Sequence, residues 1–232
     1  MKLGAIVICR YNSSRLPGKI LKEINGKPIL SYIIERLKCV KGLDEIVIAT
    51  SDQESDQPII DYCLKEGMKY YRGSLLNVAE RFLNCSMAFG FDYSIRINGD
   101  NMFLDHRIIS EMIEINNKNK YDMVSNVKGR TFPKGVSVEI LNVKFYQKLF
   151  SKFKNKYFQE HVTIYFYENS GCGNFFHFKN DRYLDAAGAQ LAIDTEEDLI
   201  NAKKVVASFE TYHTNYGFEE VFKRLSRIQT LQ

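Results

Sequence analysis

Residues 4–9 read Gly-Ala-Ile-Val-Ile-Cys, and residues 10–19 read Arg-Tyr-Asn-Ser-Ser-Arg-Leu-Pro-Gly-Lys. The first run, Gly4 to Cys9, is short and apolar, as in a parallel strand buried on both faces. The second run leaves its carboxyl end, which is where open α/β sheets bind ligands. It carries three fixed cations (Arg10, Arg15, Lys19), two hydroxyls (Ser13, Ser14) and Gly18, whose missing side chain permits close backbone approach. Arginine grips phosphate oxygens with a fork, while lysine acts as a point charge. The stretch therefore reads as a triphosphate-binding loop opening a nucleotide-binding α/β domain. The plain alternative is a basic surface loop; the order and position of the residues, more than their charge, argue against it. Neither Gly-x-x-x-x-Gly-Lys-Ser/Thr nor Gly-x-Gly-x-x-Gly occurs here, so it is not a Walker loop or a dinucleotide fingerprint.

Moving outward, strand and helix patterns alternate. Pro28 opens a helix reaching Cys39, since proline suits a first helical turn. Glu45 to Thr50 is a second buried strand. Gln57 to Glu66 reads as a helix stopped by Gly67. Met68 to Tyr71 is a strand, and Leu75 to Phe89 a helix capped by Ser74. Tyr93 to Ile97, a helix over Arg107 to Asn116, and Tyr121 to Ser125 follow. This rhythm predicts a mainly parallel, doubly wound sheet with helices on both faces. After Asn126 the pattern changes. Val136 to Leu141 alternates like a half-exposed strand, Asn142 to Phe153 and Gln159 to Asn169 look helical, and Gly171 to Phe178 is a strand candidate. Gln190 to Ile193 is expected to return to the main sheet. A helix then starts at Asp194 or Thr195, with acidic residues at its positive end. The last thirty residues look helical and basic. We expect one domain over 1–232: a nucleotide-binding half (1–126), an acceptor and dimer lobe (127–190), and a returning strand with terminal helices (191–232).

The totals exclude several classes. The net charge of +4 is too small for a nucleic-acid coat and is accounted for by one anion site. The 5 cysteines form no Cys-x-x-Cys pair, as in a reducing cytoplasm, and the 4 histidines lack metal-type spacing. No apolar run approaches the roughly 18 residues of a membrane span. A strand beginning at once leaves no room for a signal peptide. A cytoplasmic protein with no membrane or nucleic-acid partner is expected.

Two carboxylates stand at strand ends: Asp100 in Gly99-Asp100, and Asp194 after Ile193. Mg²⁺ takes oxygen ligands, often one or two carboxylates plus phosphates and water. Taken singly, Asp100 is also a plausible turn residue and Asp194 a plausible helix cap. Arg81 reads either as a phosphate ligand or as a solvated helix residue. Arg130 and Lys134 are candidate cations for an anionic acceptor, with surface lysine the plainer reading of Lys134.

The loop, followed by Asn25-Gly26-Lys27-Pro28, resembles the N-terminal signature of bacterial cytidylyltransferases. It also resembles the spore-coat polysaccharide biosynthesis protein F family, related to CMP-Kdo synthetase. The similarity continues through Asp44 to Ser51, Arg72-Gly73-Ser74, Arg96-Ile97-Asn98-Gly99-Asp100, Ser125-Asn126, Glu160-His161-Val162-Thr163 and Ile193 to Leu199. It thus runs in order over about 200 residues.

The resemblance implies a Rossmann-like, GT-A-like three-layer nucleotidyltransferase fold with a small dimerisation arm. The reaction it implies moves CMP from CTP to an acidic sugar or related phosphorylated acceptor, releasing pyrophosphate, with Mg²⁺, in a homodimer that serves surface glycan synthesis. Arg10, Arg15, Lys19 and Asp100 would be catalytic. Arg10, Ser13, Ser14, Arg15, Lys19, Arg72, Gly73, Ser74, Asn98 and Asp100 would hold the nucleotide, with Asn98 and Arg72 to Ser74 at the base and ribose. Glu139, Glu160 and His161 would face the acceptor, and Asp100 and Asp194 the metal. The sequence departs from the pattern at Asn12, Asn101-Met102, Ser137 and Gln190-Leu191, the last two in the acceptor half. A sugar-phosphate nucleotidyltransferase using UTP, GTP or dTTP, and a non-catalytic nucleotide-binding protein, remain as alternatives.

Overall fold

The structure, a computed structural model, describes residues 1–13 and 15–230. In chain order it forms β1 (Leu3–Ile8), a small hairpin of β2 (Glu23–Ile24) and β3 (Lys27–Pro28), α1 (Ile29–Lys38), β4 (Glu45–Ser51), α2 (Gln57–Lys65), β5 (Lys69–Gly73), α3 (Val78–Ala88), β6 (Tyr93–Asn98), α4 (His106–Asn119) and β7 (Met123–Ser125). There follow β8 (Glu139–Asn142), α5 (Val143–Phe150), α6 (Lys156–Glu160), α7 (Ile164–Glu168), β9 (Phe175–His177), α8 (Glu196–Ala207) and α9 (Phe218–Thr230).

Seven strands make the central sheet, in the order β5-β4-β1-β6-β8-β7-β9. β5, β4, β1 and β6 are parallel neighbours; β8 runs against both β6 and β7, and β9 is parallel to β7. The mainly parallel α/β sheet is as expected. Strands β8 and β9, from beyond Asn126, extend the sheet that β1 centres.

Alternation along β1 shows how the layers form. Leu3, Ala5 and Val7 pack into the core under α1, α4 and α8, while Ile6 packs into the opposite core with α3, α5 and α7. Side chains of a strand point alternately to its two faces, so a strand covered on both is apolar throughout. α1 presents Ile29, Leu30, Ile33, Ile34 and Leu37 to the first core at helical spacing. From β1 the chain passes to β4 on one side, and β6 later pairs on the other. The carboxyl ends of β1 and β6 thus flank a topological switch point, where such sheets bind ligands.

Three elements differ from the sequence reading. α3 begins at Val78, with Asn77 Oδ1 accepting from Glu80 N at 3.0 Å, while Ser74 Oγ accepts from Asn77 N. Asparagine caps as well as serine, so residues 74–77 stay a loop. The helix expected over Gln159 to Asn169 is two helices, α6 and α7, broken where Thr163 Oγ1 turns inward to Glu139 Oε1 at 2.7 Å. The segment Gln190 to Ile193 does not rejoin the sheet: it makes one isolated parallel bridge, Gln190 to Lys134, and Ile193 N donates to Asp100 O at 3.0 Å. Gly135 brings these loops together; a methyl group there would stand 2.4 Å from Ala192 N. Among the described residues, no helix is long and apolar enough to cross a membrane.

Candidate active site at the β1–β6 crevice

The loop after β1 is held from beneath. Tyr11 N donates to Asp56 Oδ1 at 2.7 Å, and Gly18 N closes back on Tyr11 O at 2.8 Å. Asp56 Oδ2 also accepts from Thr50 Oγ1, Ser51 N and Ser51 Oγ at 2.8, 3.0 and 2.5 Å. Burial alone would raise the pKa of Asp56, but these bonds outweigh it and hold the carboxyl below its ordinary value. Asp56 escaped the sequence reading, because a lone aspartate before a helix carries no distinctive pattern.

Across the crevice, Gly99 N donates to Ile8 O at 3.0 Å. A methyl group at Gly99 would lie 2.7 Å from Cys9 Cβ and 3.1 Å from Ile20 Cδ1. Glycine therefore lets the β1 and β6 loops touch, which leaves Asp100 at the crevice. Asp100 Oδ1 is buried with no hydrogen-bond partner. Its pKa is raised, chiefly by burial, with Lys19 opposing and Asp194 adding to the shift. Asp194 approaches from the Ile193 segment. Lys19 Nζ donates to Ile193 O and Asp194 Oδ1 at 2.9 and 3.1 Å, and Arg15 Nη2 lies 2.9 Å from the same Oδ1. Thr195 Oγ1, paired with Asp198, caps α8, so the Asp194 carboxylate is not spent as the cap. The structure thus brings Arg15, Lys19, Asp100 and Asp194 together, although Lys19 and Asp194 are 175 residues apart in sequence.

Two cavities meet there. A cavity of about 540 Å³ is lined by Arg10, Ser13, Arg15 and Lys19 on one side and by Leu75, Leu76, Val78 and Arg81 on another. A second, of about 390 Å³, is lined by Arg96, Asn101, Arg130, Lys134, Ser137, Glu139, Thr163 and Tyr167. Asn98, Asp100, His161 and Asp194 line both.

Most expected residues reach these cavities, and some do so differently. Ser14 lies outside the described residues. Arg72, Gly73 and Ser74 line neither cavity. Arg72 Nη2 instead donates to the carbonyls of Asp52 and Gln53 at 2.9 and 3.2 Å, and Ser74 O accepts from Arg81 at 3.0 Å. The displaced start of α3 puts residues 75–81 at the wall in their place. Arg81 is buried rather than solvated. Asn98 stands between the cavities beside Asp100. Glu160 lines the larger cavity, not the smaller one expected of an acceptor residue, while His161 lines both. Glu139 lines the smaller cavity but is 1% exposed, and its oxygens are taken by Arg96 Nη1, Thr163 Oγ1 and Tyr167 OH at 2.5, 2.7 and 2.7 Å. It fixes Arg96 rather than presenting itself to a ligand. Arg96 and Glu139 face each other in the antiparallel pairing of β6 and β8. One charge inside each of two apolar strands was the available signal for this pair.

The sequence matches the cytidylyltransferase family over residues 4–224. It is 30% identical over 206 residues to the spore coat polysaccharide biosynthesis protein SpsF of Bacillus subtilis, covering 85% of this chain and 83% of that protein. The fold superposes on a cytidylyltransferase from Leptospira borgpetersenii with TM-score 0.91 at 27% identity, covering 100% of this chain and 96% of that one. It also matches CMP:2-keto-3-deoxy-manno-octonic acid synthetase complexed with CTP, with TM-score 0.68 at 18% identity over 89% and 99% of the two chains, a likeness of fold. With a cationic loop, two carboxylates at the crevice and this match along nearly its whole length, the chain belongs to the cytidylyltransferase family.

Proposed function

We propose that this protein moves CMP from CTP to a small anionic acceptor, an ulosonic-acid-like sugar or related phosphorylated compound, and releases pyrophosphate. Supply of a surface glycan, by a homodimer in the cytoplasm, completes the reading. One observation carries it: a cationic cavity and a second cavity share Asp100 and Asp194, so a donor and an acceptor would meet at two carboxylates.

An acceptor oxygen in the smaller cavity attacks the α-phosphorus in line; the new O–P bond forms as the bond to the β-phosphate oxygen breaks. Arg10, Arg15 and Lys19 stabilise the charge gathering on pyrophosphate. The paired walls hold the reactants in register, which is the larger part of catalysis in such transfers. The residues suit Mg²⁺: Asp100 offers a buried oxygen with no protein partner, and Asp194 supplies a second carboxylate. Bound there, the ion would neutralise α-phosphate charge and lower the pKa of an attacking hydroxyl.

The test is pyrophosphate release with Mg²⁺, each of CTP, UTP, GTP and ATP, and a panel of ulosonic acids and sugar or polyol phosphates. Release that requires CTP and an anionic acceptor is expected. Release only with another nucleotide sinks the proposal, as does turnover undiminished by chelation of divalent ions.

A further inference from the structure

Arg81 is one turn into α3 and is 3% exposed, yet it lines the larger cavity. Its Nη1 donates to Ser74 O at 3.0 Å. Its Nε is buried without a partner, and no carboxylate among the described residues forms a salt bridge with it. Burial lowers its pKa, but an arginine remains charged in proteins. Burying a cation with donors to spare is costly unless something supplies acceptors. Among the described residues only Ser74 O does so.

The surroundings indicate what supplies them. Leu75, Leu76 and Val78, from the same short stretch as Arg81, give its part of the cavity an apolar wall, and Leu76 is 79% exposed. The cavity pairs this apolar stretch with a cationic one: Arg15 and Lys19 are gathered at Asp194, and Arg10 lies near enough to Arg81 to lower its pKa. A nucleoside triphosphate has the same division, a charged chain at one end and a flat, weakly polar base at the other.

We infer that Arg81 selects the base of the donor nucleotide by donating to O2 and N3 of cytosine. A guanidinium has only donors. Cytosine presents two adjacent acceptors, O2 and N3. Uracil and thymine carry a donor at N3, which opposes a second guanidinium N–H. Arg81 therefore favours cytosine over the other pyrimidines by hydrogen-bond polarity; guanine, whose O6 and N7 also suit a guanidinium, is distinguished by size. The inference rests on the larger cavity taking a nucleoside triphosphate, and it goes further by assigning the choice among bases to one side chain. Glu139, which lines only the smaller cavity, plays no part in it.

The experiment is equilibrium binding of CTP, UTP and 3-deaza-CTP with Mg²⁺ to the wild type and to Arg81→Lys, which keeps a charge and loses the fork. 3-Deaza-CTP replaces N3 with a C–H group, so the wild-type comparison needs no variant to fold. The wild type should bind CTP about tenfold or more tightly than either analogue. Arg81→Lys should bring the three nucleotides close together, mainly by losing affinity for CTP. Equal binding of CTP and 3-deaza-CTP by the wild type overturns the assignment. So does a uniform loss for all three in Arg81→Lys, the mark of a phosphate contact, or a lowered melting temperature with the preference intact, the mark of a packing role. Failure of the wild type to bind any of the three removes the nucleotide-transfer reading itself; binding without preference removes only the role of Arg81.

Discussion

The two cavities that share Asp100 and Asp194 are built in opposite ways. On the larger cavity, Arg10 and Arg15 are exposed side chains on a loop whose backbone is tied to buried Asp56. On the smaller, Arg96 and Glu139 form an ion pair inside the sheet, with Tyr167 and Thr163 completing the carboxylate's bonds. Exposed cations on an anchored loop can regroup around a polyanion at little cost to the fold. A buried pair cannot, because each charge depends on the other. The larger cavity therefore keeps its cations apart from the stability of the fold, and the smaller cavity ties its charges to it.

The most disruptive way to probe this difference is Glu139→Ala. Leaving half-buried Arg96 unpaired, and Thr163 and Tyr167 without their acceptor, should cost about 3–5 kcal/mol of stability, read as a fall in urea midpoint. A loss below about 1 kcal/mol would mean that the pair is not the keystone of the smaller cavity. Asp100→Asn should act almost entirely on function, lowering kcat on the order of 10²–10³-fold. Its fold should remain intact by circular dichroism; unchanged turnover would falsify a role for Asp100 in transfer. Gly99→Ala tests the contact between the β1 and β6 loops. Forcing a methyl group against Cys9 should cost about 1–3 kcal/mol and weaken CTP binding as well, since both loops line the donor cavity; a variant as stable as wild type would show that the loops separate freely. Smallest in stability is Arg15→Gln. Its surface bond to Asp194 is worth at most about 1 kcal/mol, so the melting temperature should barely move while CTP affinity falls. A large destabilisation would erase the proposed contrast.

The same contrast explains what the sequence made legible. β1 and its loop could be read because a strand buried on both faces is apolar throughout and a cluster of cations follows at once. Asp100 and Asp194 stood out as acids ending apolar strands. The half after Asn126 misled for physical reasons. Val136 to Leu141 alternated like a half-exposed strand, but Glu139, one of the two polar residues in that pattern, points into the protein toward Arg96. Polarity indicates water only when no opposite charge waits inside. The start of α3 moved because Ser74 and Asn77 are both good caps, and only the folded chain shows which one is used. That shift of three residues transferred the cavity wall from Arg72-Gly73-Ser74 to residues 75–81.

The pairing of Arg96 with Glu139 also constrains how the molecule can be altered. The four parallel neighbours β5, β4, β1 and β6 form an unbroken block, and within the sheet the strands beyond are joined to it through the antiparallel seam between β6 and β8. A graft that exchanges the outer segment with a relative's, to change the acceptor, would cut across that seam. Residue 96 belongs to the retained block and residue 139 to the transplant. The two must therefore be moved as a set, or the chimera inherits a stranded charge at its suture.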